Sequence, residues 1–144
     1  PRIDKSNFNR DFLRNRIRHE ILESLGKINP NIKQTLVRFV QQAAVDYEYL
    51  VKMASPLIKV RDNLLIKVNL EEFRKLHLAL KRMVIRIALD KIAGSLHTFT
   101  HKHWEEIEDL IYSRPNGSIV DLTRGIHIKK QNRDILIYSG KYVK

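Results

Sequence analysis

The chain has 144 residues, 43% of them hydrophobic, enough for one compact domain, or a domain with a small appendage, to bury a core. It contains no Cys, which excludes disulfides, a thiolate nucleophile and a cysteine metal cluster and fits a reducing cytoplasm; no apolar run nears the roughly 18 residues of a membrane span. A net charge of +11 points to a polyanionic partner, nucleic acid above all, against the simpler reading of a basic protein with no specific polyanion site.

Pro1-Arg2-Ile3 reads as the interior of a longer protein, with neither an initiating Met nor a signal peptide. Asp4, Ser6 and Asn7 are turn and cap residues, and the side-chain oxygen of Ser6 or Asn7 is suited to accept from a first-turn amide. The helix they open is expected to reach about Leu25, with Gly26 as its left-handed stop. Asn29-Pro30-Asn31 is a turn and a second start signal. From Ile32, the residues Leu36, Phe39, Val40, Ala43, Ala44, Tyr47, Leu50 and Val51 recur at helical spacing, so a long amphipathic helix runs to near Ser55-Pro56. Leu57 to Val60 is expected to continue as a short helical piece.

Leu64 to Val68 is a short β-type run, and Asn69 caps a helix opening on Leu70-Glu71-Glu72-Phe73, its two acids in the positive first turn. Leu78 to Ala93 forms a further helix ended by Gly94. Thr100 caps another through Trp104, Ile107, Leu110 and Ile111, stopped by Pro115-Asn116-Gly117. Ser118 to Leu122, Ile126 to Lys130 and Ile135 to Tyr138 read as three strands joined by Arg124-Gly125 and Asn132-Arg133-Asp134 turns. The expected fold is mainly α, a helical bundle-like domain with a small C-terminal antiparallel β element. Its organisation is a connector and arginine-rich helix at 1–28, a helical domain at 29–116 and a β-hairpin element at 117–144.

The charge is concentrated at the ends. Residues 1–19 carry about +4 and residues 114–144 about +5, which makes both ends candidate contact surfaces. Arg10, Arg14 and Arg18, four residues apart, form one row beside Leu13, Ile17 and Ile21 rather than opposite them. Such a row suits a domain interface or a phosphate rail, because a guanidinium fork binds phosphate in two-point fashion; equally, the arginines can snorkel over the edge of a core. Asn15 stands among them inside the helix, where its propensity is poor. A second basic group, Arg74, Lys75, Lys81, Arg82 and Arg86, is either a track for an RNA backbone or, the favoured reading, an ordinary solvated face. In the tail, alternation puts His127 and Lys129 on the outer side of a hairpin that also carries Arg124, Lys130 and Arg133, a surface for RNA or for a following domain.

No metal site is expected: His97, His101 and His103 lack a ligating spacing, and HExxH is absent. Glu105-Glu106 and Glu108-Asp109 fit a solvated helix face rather than acid–base chemistry. Phe99, Trp104 and Tyr112 read as core or rim rather than base-stacking platforms. Gly26, Gly94, Gly117, Gly125 and Gly140 form no phosphate-cradling cluster.

Asp4-x-Ser6-Asn7, six intervening residues, Arg14-Asn15-Arg16-Ile17-Arg18-His19 and Ile21-Leu22 resemble, in order and spacing, the segment that closes the catalytic domain of tRNA(Ile)-lysidine synthetases and leads into their central helical domain. Where that family commonly has Pro before the next Leu, this chain has Glu23 and then Leu25. The later order of helices and a Gly-containing hairpin is also similar, although only residues 4–19 are specific.

The resemblance implies a cytoplasmic, ATP-dependent ligase that adenylates the wobble cytidine of the CAU-anticodon isoleucine tRNA and lets free lysine displace AMP. It implies ATP, with Mg, for the full-length enzyme, held by an N-terminal domain with a Ser-Gly-Gly-x-Asp-Ser loop that this chain lacks; the segment alone is expected to be inactive and to bind neither. The implied partners are isoleucine tRNA, lysine and that catalytic domain, with no membrane. Arg14, Asn15 and Arg18, with Arg10, are the residues expected to complete its nucleotide or tRNA site, and Arg82, Arg86, Lys129 and Lys130 a secondary basic surface. The rival readings are a non-catalytic RNA- or DNA-binding module and a protein-interaction domain whose arginine helix docks a partner.

Overall fold

The computed structural model describes residues 13–62, 65–94 and 99–140 of the chain. Two compact units divide after Asp46, within a helix.

In the first unit one helical run comprises α1 (Leu13–Arg16), a π turn (Ile17–Ile21) and α2 (Leu22–Ile28). The stop expected at Gly26 does not occur. The helix continues to Ile28 and ends where Asn29 turns extended (φ −135°, ψ 104°), its N–H still bonded to the Leu25 carbonyl at 2.9 Å. A helical Gly costs only about 1 kcal/mol relative to Ala, whereas the ring of Pro30 disfavours helical geometry at the residue before it. Proline, not glycine, sets this end. The start expected at Ser6 or Asn7, and with it Asp4 and Arg10, lies outside the described residues.

The π turn was not expected. The Leu22 N–H reaches back to the Ile17 carbonyl, one residue further than in an α-helix. A four-residue step overshoots a full α turn and falls short of a full π turn. The two errors offset, so Leu13, Ile17 and Ile21 stay in one stripe.

Helix α3 (Ile32–Ala54) starts at the predicted turn, where the Asn31 N–H donates to Asn29 Oδ1 at 3.0 Å. It runs 23 residues without Gly or Pro. Within the first unit its apolar residues Leu36, Val37, Phe39, Val40 and Val45 are exposed, as are Leu13, Ile17, Ile21 and Leu25.

The second unit begins at Tyr47. Ala54 at the end of α3 is fully buried, and a 3-10 turn at Ser55–Leu57 accommodates Pro56 near its start. The helical continuation expected over Leu57 to Val60 is corrected here: Lys59–Asp62 is strand β1, paired antiparallel with β2 (Leu65–Asn69). Four residues hold too few repeats to show a period of two, so the pairing partner decides the conformation.

Asn69 caps α4 (Leu70–Lys75) as predicted, its Oδ1 accepting the Glu72 N–H at 2.9 Å. His77 caps α5 (Leu78–Ala93) through Nδ1, and Gly94 ends it with φ 67°. Helix α6 (His101–Tyr112) follows Thr100, and β3 (Ile119–Leu122), β4 (Ile126–Gln131) and β5 (Asp134–Ser139) complete the set.

The described residues are mainly helical, with one antiparallel sheet in the order β1-β2-β5-β4-β3. The C-terminal three strands are joined by β2, which matches the β-type run read over Leu64 to Val68, and by β1, which was not expected. Directly opposed residues of antiparallel strands share a face. The register Val120–Ile128–Ile137–Ile66 therefore builds one apolar row across four strands, with Ile135–Val68 beside it. All six are buried. Val84, Ile85, Ala88 and Leu89 of α5 and Trp104, Ile107, Leu110 and Ile111 of α6 share this core. The sheet thereby positions the α5 surface and the start of α6, where the basic and aromatic side chains meet.

Candidate nucleic-acid interface

On the arginine helix, Arg14 and Arg18 are exposed while Asn15 is buried and engaged in interactions. The mid-helix Asn, costly by propensity, thus has a structural reason to be there. Arg16 Nε approaches Glu20 Oε2 at 3.7 Å, an exposed pair worth about 0–1 kcal/mol. No carboxylate among the described residues pairs with Arg14 or Arg18. Two guanidinium groups one turn apart, beside the exposed Leu13–Ile17–Ile21 stripe, therefore stay open to an anion.

On α5 the predicted basic group divides by task. Arg74, on α4, donates from Nη2 to the Ile111 carbonyl at 2.7 Å and, with Lys81, stacks on Tyr112; the centroid distances are 5.9 and 5.4 Å. These two hold the end of α6. Arg82 and Arg86, four residues apart and exposed, lie instead over the rings of Trp104 and Tyr47 at 5.5 and 6.0 Å. A cavity of about 350 Å³ opens beside them, lined by Arg82, Arg86, Phe99, Thr100, His101 and Trp104. A second cavity borders Arg86 on the side of Tyr47, Asp90 and Lys91.

The helix start that closes the first cavity is held by the Thr100 N–H, which donates to His103 Nδ1 at 3.1 Å. Trp104, read from sequence as core or rim, is 3% exposed and floors the cavity. The cavity was missed in the sequence. Its available signal was the pairing of Arg82 and Arg86 at i, i+4 with an aromatic residue just before the cap at Thr100.

In the tail the structure separates two adjacent lysines. His127 and Lys129 face the outer side of the sheet, as alternation predicted. His127 Nδ1 lies 2.5 Å from Asp121 Oδ1, and its ring is 5.3 Å from that of Tyr138. Burial, and secondarily the Asp121 charge, pushes the Tyr138 hydroxyl above its usual range. Lys130 points the other way: its Nζ donates to the Ile111 and Arg114 carbonyls at 3.1 and 2.6 Å. Its ammonium is committed to the C-terminus of α6 and does not lie on the basic outer face with Lys129. The same alternation that puts Lys129 outside puts Lys130 inside.

Among the described residues no group of three His, Cys, Asp or Glu is placed to hold a metal; His97 lies outside them. Gly94, Gly117 and Gly125 sit at separate turns with positive φ, and Gly140 packs against His127 Nε2, where an added Cβ would stand 3.1 Å away. Among the described residues they form no common loop. No helix among them is long and apolar enough to cross a membrane.

No family profile matches the chain. Individual proteins do. The chain is 27% identical over 148 aligned residues to the tRNA(Ile)-lysidine synthase of Clostridioides difficile (strain 630), covering 99% of this chain and 32% of that protein. It is 31% identical over 125 residues to the tRNA(Ile)-lysidine synthase of Dehalococcoides mccartyi (strain CBDB1), covering 85% and 26%. It is 25% identical over 143 residues to the bifunctional protein TilS/HprT of Listeria innocua, covering 96% and 22%. The chain thus spans between 22% and 32% of the length of these relatives.

Proposed function

Starting from the fact that this chain is a relative of a segment of the tRNA(Ile)-lysidine synthases, we propose that it serves as the helical, tRNA-contacting and scaffolding part of such an enzyme. The observation that carries this reading is similarity to one enzyme family along nearly the whole chain. The full enzyme would ligate lysine to the wobble cytidine of CAU-anticodon isoleucine tRNA with ATP, as the family resemblance implies. ATP supplies the adenylation, and its binding falls to a domain other than this one.

In this reading Arg14 and Arg18, with Arg10, present guanidinium forks to the nucleotide or tRNA phosphates at the edge of the catalytic domain. Positive groups placed where charge develops on the departing AMP would stabilise it. Buried Asn15 would set the pitch of the row. The exposed stripe of Leu13, Ile17 and Ile21, together with Leu36, Phe39 and Val40, supports a covering domain, since apolar patches of this kind mark contact surfaces.

The test uses the full-length parent enzyme. Arg14→Ala and Arg18→Ala are each expected to lower ATP-dependent lysine incorporation into isoleucine tRNA by about 10²–10³-fold, the loss of one transition-state donor. Unchanged adenylation and unchanged lysine transfer in both variants would remove these residues from the site.

A further inference from the structure

The cavity beside α5 combines three features that meet nowhere else among the described residues. Arg82 and Arg86 each lie on an aromatic face, Trp104 and Tyr47 respectively. A guanidinium stacked in this way is held in plane and keeps its N–H edge for an acceptor. Neither Arg has a carboxylate partner among the described residues, so both forks are open. Thr100 and His101 line the cavity at the start of the 12-residue α6, whose dipole favours negative charge there, while the Thr100 and His103 amides are taken up by the helix's own capping box. The floor is Trp104, buried, with an indole Nε1–H that has no acceptor among the described residues.

Among the described residues no Asp or Glu lines the cavity, which weighs against a Mg²⁺-bound polyphosphate, since such a ligand brings a cation that needs carboxylates. The volume of about 350 Å³ exceeds that of a lone phosphate and is in the range of small-ligand pockets.

We infer that this cavity is a pocket for one backbone phosphate of the tRNA together with its nucleoside, the phosphate gripped by the forks of Arg82 and Arg86 at the positive end of α6. The inference rests on the tRNA-contacting reading above and gives it a second site, in the second unit of the chain.

Trp104 is the single Trp of the chain, so its emission reports on this pocket directly. The experiment titrates the 144-residue chain with AMP, with a short single-stranded RNA oligonucleotide and with isoleucine tRNA, following Trp104 emission and, separately, filter binding of the tRNA over a range of salt. A saturable emission change with all three ligands is expected. The double variant Arg82→Gln/Arg86→Gln should lose that change, weaken tRNA binding at least about tenfold and lower the slope of log K against log salt by about 1–2, the loss of one or two phosphate contacts. Arg82→Lys/Arg86→Lys should keep the slope and lose affinity, because charge remains and the fork is gone. Both residues are exposed, so these variants are expected to keep the fold, with circular dichroism as the check.

Wild-type tRNA affinity, salt slope and emission response in the Gln double variant would overturn the pocket while leaving the tRNA-contacting reading intact. An AMP response with no tRNA binding by the chain would defeat both the RNA occupant and that reading.

Discussion

Lys129 and Lys130 are adjacent cations with different tasks, and the difference can be measured. Lys130→Met removes two charge-assisted bonds to the end of α6 and should lower stability by about 1–3 kcal/mol in urea denaturation. Lys129→Met, on the outer face, should change stability by less than about 0.5 kcal/mol. A residue of one kind was therefore easy to locate but not to assign. Charge shows in the sequence; what a long flexible side chain reaches depends on which backbone carbonyls the fold brings within a few ångströms. Arg74 and Arg82 repeat the point: both look like surface cations, yet one bonds the Ile111 carbonyl and the other covers Trp104.

At the level of elements, the end of α6 shows how local signals and tertiary partners divide the work. Thr100 and the Pro115-Asn116-Gly117 stop were readable, but the helix already ends at Tyr112. Its last turn is held from outside by Arg74 and Lys130, and from within the chain's next turn by Arg114, whose Nε donates to Asp109 Oδ2 at 2.6 Å. That bond holds the Asp109 carboxyl below its usual value of 3.8. A depressed folded-state pKa contributes stability that is present above about pH 3.8 and is lost as pH falls through the lower folded value. Asp109→Asn should consequently show a smaller loss of stability than the wild type on acidification below pH 3.8, measured by thermal melts across that range. The group is exposed, so the effect is expected to be small and weakened further by salt. Gly26 and Pro30 teach the complementary lesson. Both are breakers by composition, and only the steric one acts.

Across the whole molecule, the sheet carries the second unit. Ile137 is fully buried at the centre of the row Val120–Ile128–Ile137–Ile66. Ile137→Ala should cost about 2–5 kcal/mol, whereas Ile119→Ala, at an exposed edge position, should cost less than about 1 kcal/mol. Equal losses in chemical denaturation would contradict the placement of the core.

The mainly helical character, the caps at Asn69 and Thr100, the stop at Gly94 and the three C-terminal strands were all legible in the chain itself. Each rests on interactions between near neighbours or on a period repeated often enough to see. The basic character was legible for the same reason, because net charge is a property of composition. The recruitment of β1 and β2 into a five-stranded sheet was not, since strand pairing links residues some seventy positions apart. Nor was the juxtaposition of Arg82 and Arg86 with Trp104 and the start of α6, because a cavity exists only once separate elements have packed around it.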